Sequence, residues 1–335
     1  MRHSTKLMAA AALLALGVAM PAQAQDKVRF GTNWLAEAEH GGYYQAVADG
    51  TYAKYGLDVT IVQGGPQSPN EALLISGKVD FYMGGIFSVF DDVKNGIPMI
   101  NIAAIFQKDP QVFIAHPDVG VETFADLAKL DTIFMGKDLF TTAFEWMKGN
   151  FPGFKDEQFK PYTFNPAPFI ADPKSAQQGY LTSEPLAVEK AMGKAPKVFL
   201  LADAGYDPYS TTIETTIKLA TENPELVQRF VDATIIGWYT YLYGDNSAGN
   251  ALIKKDNPEM TDEQLTYSVA KMKEYGIVVS GAAETKGIGC MTDERQKEFY
   301  DKMVAIKVVD AGIDIKKGYS LDFVCKGVGM DLMPK

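Results

Sequence analysis

The chain holds two cysteines, three histidines and four arginines in 335 residues, and each scarcity closes a class of function. Two Cys and three His cannot furnish the clustered ligands of a zinc scaffold. Lys and Arg number 32 against 42 Asp and Glu, a formal charge of −10. The basic stripe that a phosphate backbone demands is absent, so nucleic acid is not expected as a partner. There is no GxxxxGK[ST] loop, no strand-linked GxGxxG and no GxSxG elbow. Beyond residue 24 only His40 and His116 remain as histidine bases, which argues against a hydrolytic triad and for binding over catalysis. Neither a metal nor a cofactor is expected. What is present is globular: 47% apolar and 22% charged residues, at a length that suits two lobes.

Residues 1–24 read as an export signal. Arg2, His3 and Lys6 precede an apolar run of 14 residues, Leu7–Met20, and Ala22-Gln23-Ala24 supplies a small-x-small cleavage site. That run covers about 21 Å of helix, short of the roughly 30 Å hydrocarbon core. Removal leaves 311 residues (335 less 24) and a charge of −12 (30 basic against 42 acidic). The expectation is an acidic, monomeric periplasmic protein, in which the even pair Cys290 and Cys325 forms a disulfide.

Short apolar strands alternate with capped helices. Val28–Thr32, Leu57–Ile61, Val79–Met83 and Met99–Phe106 read as strands, with a helix over Gly42–Tyr55 and a helix start at Ser68-Pro69-Asn70-Glu71. This order predicts a parallel sheet covered on both faces. A second unit begins near Gln111: strands Val112–Ala115 and Thr132–Met135, a helix opened by Thr123 and another over Leu139–Lys148. Gly149–Pro173 reads as irregular connection, Glu184–Met192 as helix and Lys197–Ala202 as strand. Further helices start at Asn223-Pro224-Glu225, Thr261 and Thr292. The fold class is therefore α/β: two doubly wound lobes with a ligand cleft between them and C-terminal helices. Lobe 1 takes residues 25–107 and 203–335, and lobe 2 takes residues 108–202.

Four segments at strand ends should line that cleft. In Asn33–Tyr43, Trp34 offers a flat face, Asn33 and His40 offer donors and acceptors, and Tyr43 adds a second ring. The alternative is that Trp34 covers the core and His40 caps a helix. In Tyr82–Ser88, Gly84 and Gly85 expose backbone N–H groups at a helix start, with Phe87 beside them. Gly136–Thr142 holds the matching place in lobe 2 and contributes Lys137 and Thr141. In Gly179–Pro185, Tyr180 stands beside Glu184, which is either an acceptor for an amine edge or a helix-start charge. Tyr206 belongs to the same aromatic set.

Asn33-Trp34, then Glu39-His40-Gly41-Gly42-Tyr43, then Gly50–Val59 resemble the periplasmic substrate-binding proteins of ABC importers for nitrate, sulfonate, taurine and thiamine-pyrimidine precursors. The pyrimidine branch, which shares its fold with the yeast-type thiamine pyrimidine synthase, has the most similar N-W…E-H-x-G-x-Y pattern. The resemblance extends over residues 26–245. It implies a two-lobed clamp that delivers one small molecule to a permease and its ATPase. The synthase branch carries clustered cysteines for iron, whereas Cys290 and Cys325 lie 35 positions apart; Pro173–Ala176 also departs from the acidic-before-alanine pattern.

Arg29, Arg229 and Arg295 lie outside all four segments, so an arginine fork for a compact anion is not expected. The sequence thus points to a small, flat, nitrogen-containing ring stacked on Trp34, its polar edge read by Glu184 and Asn33. A sulfonate, nitrate or aromatic carboxylate held by Lys137 and the Gly84-Gly85 amides is the alternative ligand. A pyrimidine-synthesising enzyme on the same fold is the alternative of another class.

Overall fold

The computed structural model describes residues 24–65, 68 and 70–334. Apart from Ala24, the expected export signal lies outside the described residues, as does Pro69 of the expected helix start. Ten strands form two five-stranded sheets. They are β1 (Asp26–Gly31), β2 (Leu57–Val62), β3 (Phe81–Gly84), β4 (Met99–Phe106), β5 (Gln111–Ala115), β6 (Thr132–Met135), β7 (Phe159–Pro161), β8 (Ser175–Tyr180), β9 (Lys197–Leu200) and β10 (Ser210–Thr216).

The first sheet is ordered β2-β1-β3-β10-β4 and the second β7-β6-β8-β5-β9. In each, four strands run in one direction and the strand in the fourth position runs antiparallel to both its neighbours. This corrects the expected all-parallel sheets. The reason is topological: β5 and β10 are the strands on which the chain arrives from the other lobe. They enter from the cleft side and run against the resident strands. The crossings are 107–110 and 201–209.

β8 and β10, SAQQGY and STTIETT, are buried along almost their whole length despite polar composition. They carry no apolar alternation: the sequence put a strand end at Gly179 without a range for β8, and gave no strand at β10. The expected helix over Gly42–Tyr55 is two helices, Gly41–Ala48 and Thr51–Lys54. Gly50 breaks it with φ 75°, and Asp49 Oδ1 accepts the Thr51 N–H at 2.9 Å to start the second piece. Thr123 opens a short 3₁₀ turn, Phe124–Lys129, instead of an α-helix. Residues 149–173, expected to be irregular, contain β7 and the helix Ala167–Ala171. Helices Glu184–Met192, Pro224–Tyr243, Asp262–Glu274 and Asp293–Ala305 stand where the sequence put them.

All three arginines among the described residues make structural contacts. Arg29 pairs with Asp80 at 3.1 Å, and Arg229 pairs with Asp26 at 2.6 Å. Arg295 donates to the carbonyls of Gln107 and Asp207, one on each crossing, and its guanidinium lies 4.3 Å from the Tyr209 ring centroid. The helix Asp293–Ala305 therefore braces both crossings. Cys290 and Cys325 are disulfide-bonded, with Cα atoms 4.6 Å apart. Among the described residues no helix is long and apolar enough to cross a membrane.

Candidate functional site

The parallel strands point their carboxyl ends at a cleft between the sheets. After β1, the Thr32 hydroxyl donates to the Trp34 carbonyl at 2.8 Å, and Gly64 N–H donates to that carbonyl at 3.1 Å. A Cβ on Gly64 would overlap the Thr32 and Asn33 backbone, so glycine there lets the loop fold tightly. After β3, Gly84 and Gly85 lead into the helix Ile86–Asn95. After β6, the helical run Lys137–Asn150 contains a π-helical turn, Phe140–Phe144, next to the cavity. After β8, the Glu184 carboxylate accepts the Tyr180 N–H at 2.7 Å, which fixes the helix start in lobe 2.

The cleft has two connected chambers, sharing Asn33, Met83, Gln111, Asp138 and Tyr180. The outer chamber, 270 Å³, is walled by Trp34 and Phe164 and by Glu37, Glu39 and Glu184. The inner chamber, so named for its place against the Gly84-Gly85 helix start, has 430 Å³ and is the more open of the two. It is walled by Glu71, Asp109 and Asp138, by Gly84, Gly85, Phe87 and Thr141, and by the rings of Tyr82, Tyr206 and Tyr209. Trp34 comes from lobe 1 and Phe164 from lobe 2, and their ring centroids are 4.9 Å apart. Phe164 is 56% exposed and takes φ 58°, a left-handed conformation unusual for an aromatic residue.

Burial holds Glu37, Glu39, Glu184 and Asp109 toward their neutral forms. Burial raises Glu37 well above its ordinary range, and Glu39 and Glu184 add like charge. Glu39 is raised by burial although the Thr182 hydroxyl donates to it. Glu184 is raised by burial against the Tyr180 N–H bond. Burial also pushes Asp109 up to about 6. Among the described residues lining either chamber there is no Lys, Arg or His. Nor do the described residues contain a group of three or more His, Cys, Asp or Glu that could hold a metal.

Of the expected site residues, the structure brings Asn33, Trp34, Gly84, Gly85, Phe87, Thr141, Tyr180, Glu184 and Tyr206 to the cleft. Three are elsewhere. Tyr43 is fully buried against Phe30 at 4.2 Å and Trp238 at 6.0 Å, because the helix that carries it turns this face to the core. His40 is also fully buried, behind the wall, with Nε2 3.9 Å from Glu37 Oε1; burial lowers it to about 3 and keeps it neutral. Lys137 is exposed at its helix start and does not line the cavity. Sequence reasoning missed Glu37, Glu39, Glu71, Asp109, Asp138 and Phe164. Glu37, Glu39 and Asp138 lay inside the segments it singled out, but nothing local shows which carboxyls a second lobe will bring to one cleft.

This two-lobed architecture is the periplasmic binding protein fold. The ligand-binding component of an ABC-type import system from Staphylococcus aureus, a zinc-bound structure, is 12% identical with a TM-score of 0.67, over 89% of this chain and 98% of that one. The aliphatic sulphonate binding protein SsuA from Escherichia coli is 14% identical with a TM-score of 0.62, over 91% and 99%. A desulfurization enzyme, DSZB, is similar too, at 12% identity and a TM-score of 0.58, over 89% and 97%. No curated protein sequence matches the chain. The profile of the NMT1/THI5-like family matches residues 37–244, well over half of the chain, and the protein belongs to that family.

Proposed function

We propose that the protein is an extracytoplasmic solute-binding protein of an ABC importer, which captures a small, flat, nitrogen-containing ring of the thiamine-pyrimidine-precursor kind and hands it to a permease and its ATPase. One observation carries the ligand reading: the outer chamber brings three aromatic side chains, Trp34, Phe164 and Tyr180, together with four carboxyls and lacks a basic side chain. A carboxyl held neutral can donate and accept together, which matches the adjacent N and NH₂ of an aminopyrimidine edge. A sulfonate, nitrate or carboxylate would instead meet like charge wherever one of these groups ionises. Lys137, the cation expected to hold an anion, faces solvent.

Mass spectrometry of small molecules released on denaturing the purified protein tests the reading directly. A sulfonate or nitrate in the released material would overturn it. Calorimetry with 4-amino-5-hydroxymethyl-2-methylpyrimidine then tests the stacking role. Trp34→Ala should weaken binding by a few kcal/mol, the scale of a large interface hot spot. Binding within threefold of wild type would remove Trp34 from the site. Because the same fold also carries an enzyme, DSZB, turnover of a bound pyrimidine is the outcome that would favour catalysis.

A further inference from the structure

The ring-binding reading accounts for the outer chamber and leaves the larger one unused. At 430 Å³ the inner chamber lies within the range of about 300–1,000 Å³ that complete ligand pockets span. Its chemistry also differs. Glu71, Asp109 and Asp138 line it, alongside the rings of Tyr82, Tyr206 and Tyr209. Under its floor lies a fourth carboxyl. Glu214 on β10 is 2% exposed, directly beneath Gly84, where a Cβ would overlap it. The Ser88 hydroxyl, which lines the chamber, sits between Glu214 Oε1 and the Gly85 carbonyl. Glu214 Oε2 is buried with no hydrogen-bond partner among the described residues.

Carboxyls gathered without a cation repel one another and are costly to ionise together. The three described arginines pair with Asp80, with Asp26 and with the carbonyls of the crossings; Arg295 stacks on Tyr209 but does not itself line the chamber. Neutralising a carboxyl relieves this repulsion, and a cation that enters relieves it without uptake of a proton. We infer that the inner chamber receives a cationic arm, an ammonium or amidinium, joined to the ring held in the outer chamber, so that the transported solute is a bipartite cation. The inference rests on the ring-binding reading for its outer half only. Glu71 and Asp138 supply the opposing charge, and the tyrosine faces supply cation–π contacts. The five residues shared by the two chambers form the passage that the linking atoms cross.

Two matched pairs of probes separate the two halves by calorimetry on the full chain. One pair is 4-amino-5-aminomethyl-2-methylpyrimidine against its 5-hydroxymethyl counterpart, and the other is 4-phenylbutylammonium against 4-phenylbutanol. The expected result is that each ammonium binds at least tenfold more tightly than its alcohol. In the Glu71→Gln/Asp138→Asn double variant that ratio should collapse to within threefold. Equal affinities within each pair of the wild-type protein overturn the cationic arm and leave the ring reading standing. If the pyrimidines fail but phenylbutylammonium outbinds phenylbutanol, the pyrimidine reading falls and the cationic arm survives. Failure of both ammonium probes to bind, or a ratio unchanged in the double variant, overturns the assignment. The wild-type ratios decide the matter even if the double variant does not fold.

Discussion

Glu214 concentrates the chemistry of the cleft in one side chain. Burial pushes it up to about 8, with the Ser88 hydroxyl pulling the other way and Glu71 and Asp92 adding like charge. Asp92 is itself pushed up to about 7, first by burial and then by Glu71 and Asp91. A folded-state value above the ordinary 4.5 means that the folded protein holds this proton more tightly than the unfolded chain does. Stability from neutral Glu214 is thus complete at acid pH and declines as pH rises through about 8. His40 acts oppositely: lowered to about 3, it costs stability only as pH falls below its ordinary 6.5. Between pH 6.5 and 8.5 the carboxyls should therefore govern. Thermal unfolding of the ligand-free protein should show Tm falling across that window by a few degrees, at about 2–4 °C per kcal/mol. The Glu214→Gln protein should have a flatter profile, and an unchanged slope would exonerate this residue. None of this was visible in STTIETT, where Glu214 reads as an ordinary strand-surface charge. Trp34 and Asn33 were legible because they follow an apolar strand; Phe164 was not, because its role depends on a ring from the other lobe.

At the scale of elements, the helices Gly41–Ala48 and Pro224–Tyr243 cross at very close range. Gly42 lies against the Trp238 indole and Gly41 against the Tyr241 ring, and a Cβ on either would overlap them. Gly237 closes the crossing from the other side, over the Gly42 carbonyl. The glycines at positions 41 and 42 were read as a family signature, and their physical reason is this crossing. Gly42→Ala should cost about 1–3 kcal/mol through overpacking, as a lower urea midpoint with an unchanged slope. A midpoint equal to wild type would mean that the two helices separate without penalty. Helices were the more readable elements because caps are local: Thr261 accepts the Gln264 N–H at 3.1 Å and Thr292 the Arg295 N–H at 3.3 Å. The extents of β8 and β10 were unreadable because burial between neighbouring strands, not alternation, makes them strands.

For the whole molecule, the two crossings share one brace: Arg295 ties both to the helix Asp293–Ala305. Small-angle scattering with a saturating ligand should show a smaller radius of gyration than without, as hinge closure requires. An unchanged radius would mean that the cleft is already in its bound form. The disulfide fastens the last segment of the chain, and its loop of about 34 residues corresponds to roughly 3–4 kcal/mol of chain entropy. Reduction should lower the denaturant midpoint accordingly, and thiol titration of the denatured, unreduced protein should find almost no free sulfur.

Composition, caps and strand–helix order determined by themselves that the chain would make two α/β lobes with a cleft at their strand ends, since those signals act within a few residues of one another. The absence of arginine from the cleft segments was equally a property of the sequence. Only the tertiary structure decided which polar strands were buried, that in each sheet the first strand after a crossing runs antiparallel to its neighbours, and that His40 and Tyr43 turn inward. It also decided that six carboxyls line the same two chambers. A carboxyl's ionisation depends on the dielectric and the charges around it, and these are supplied by residues from both lobes, far apart in the chain.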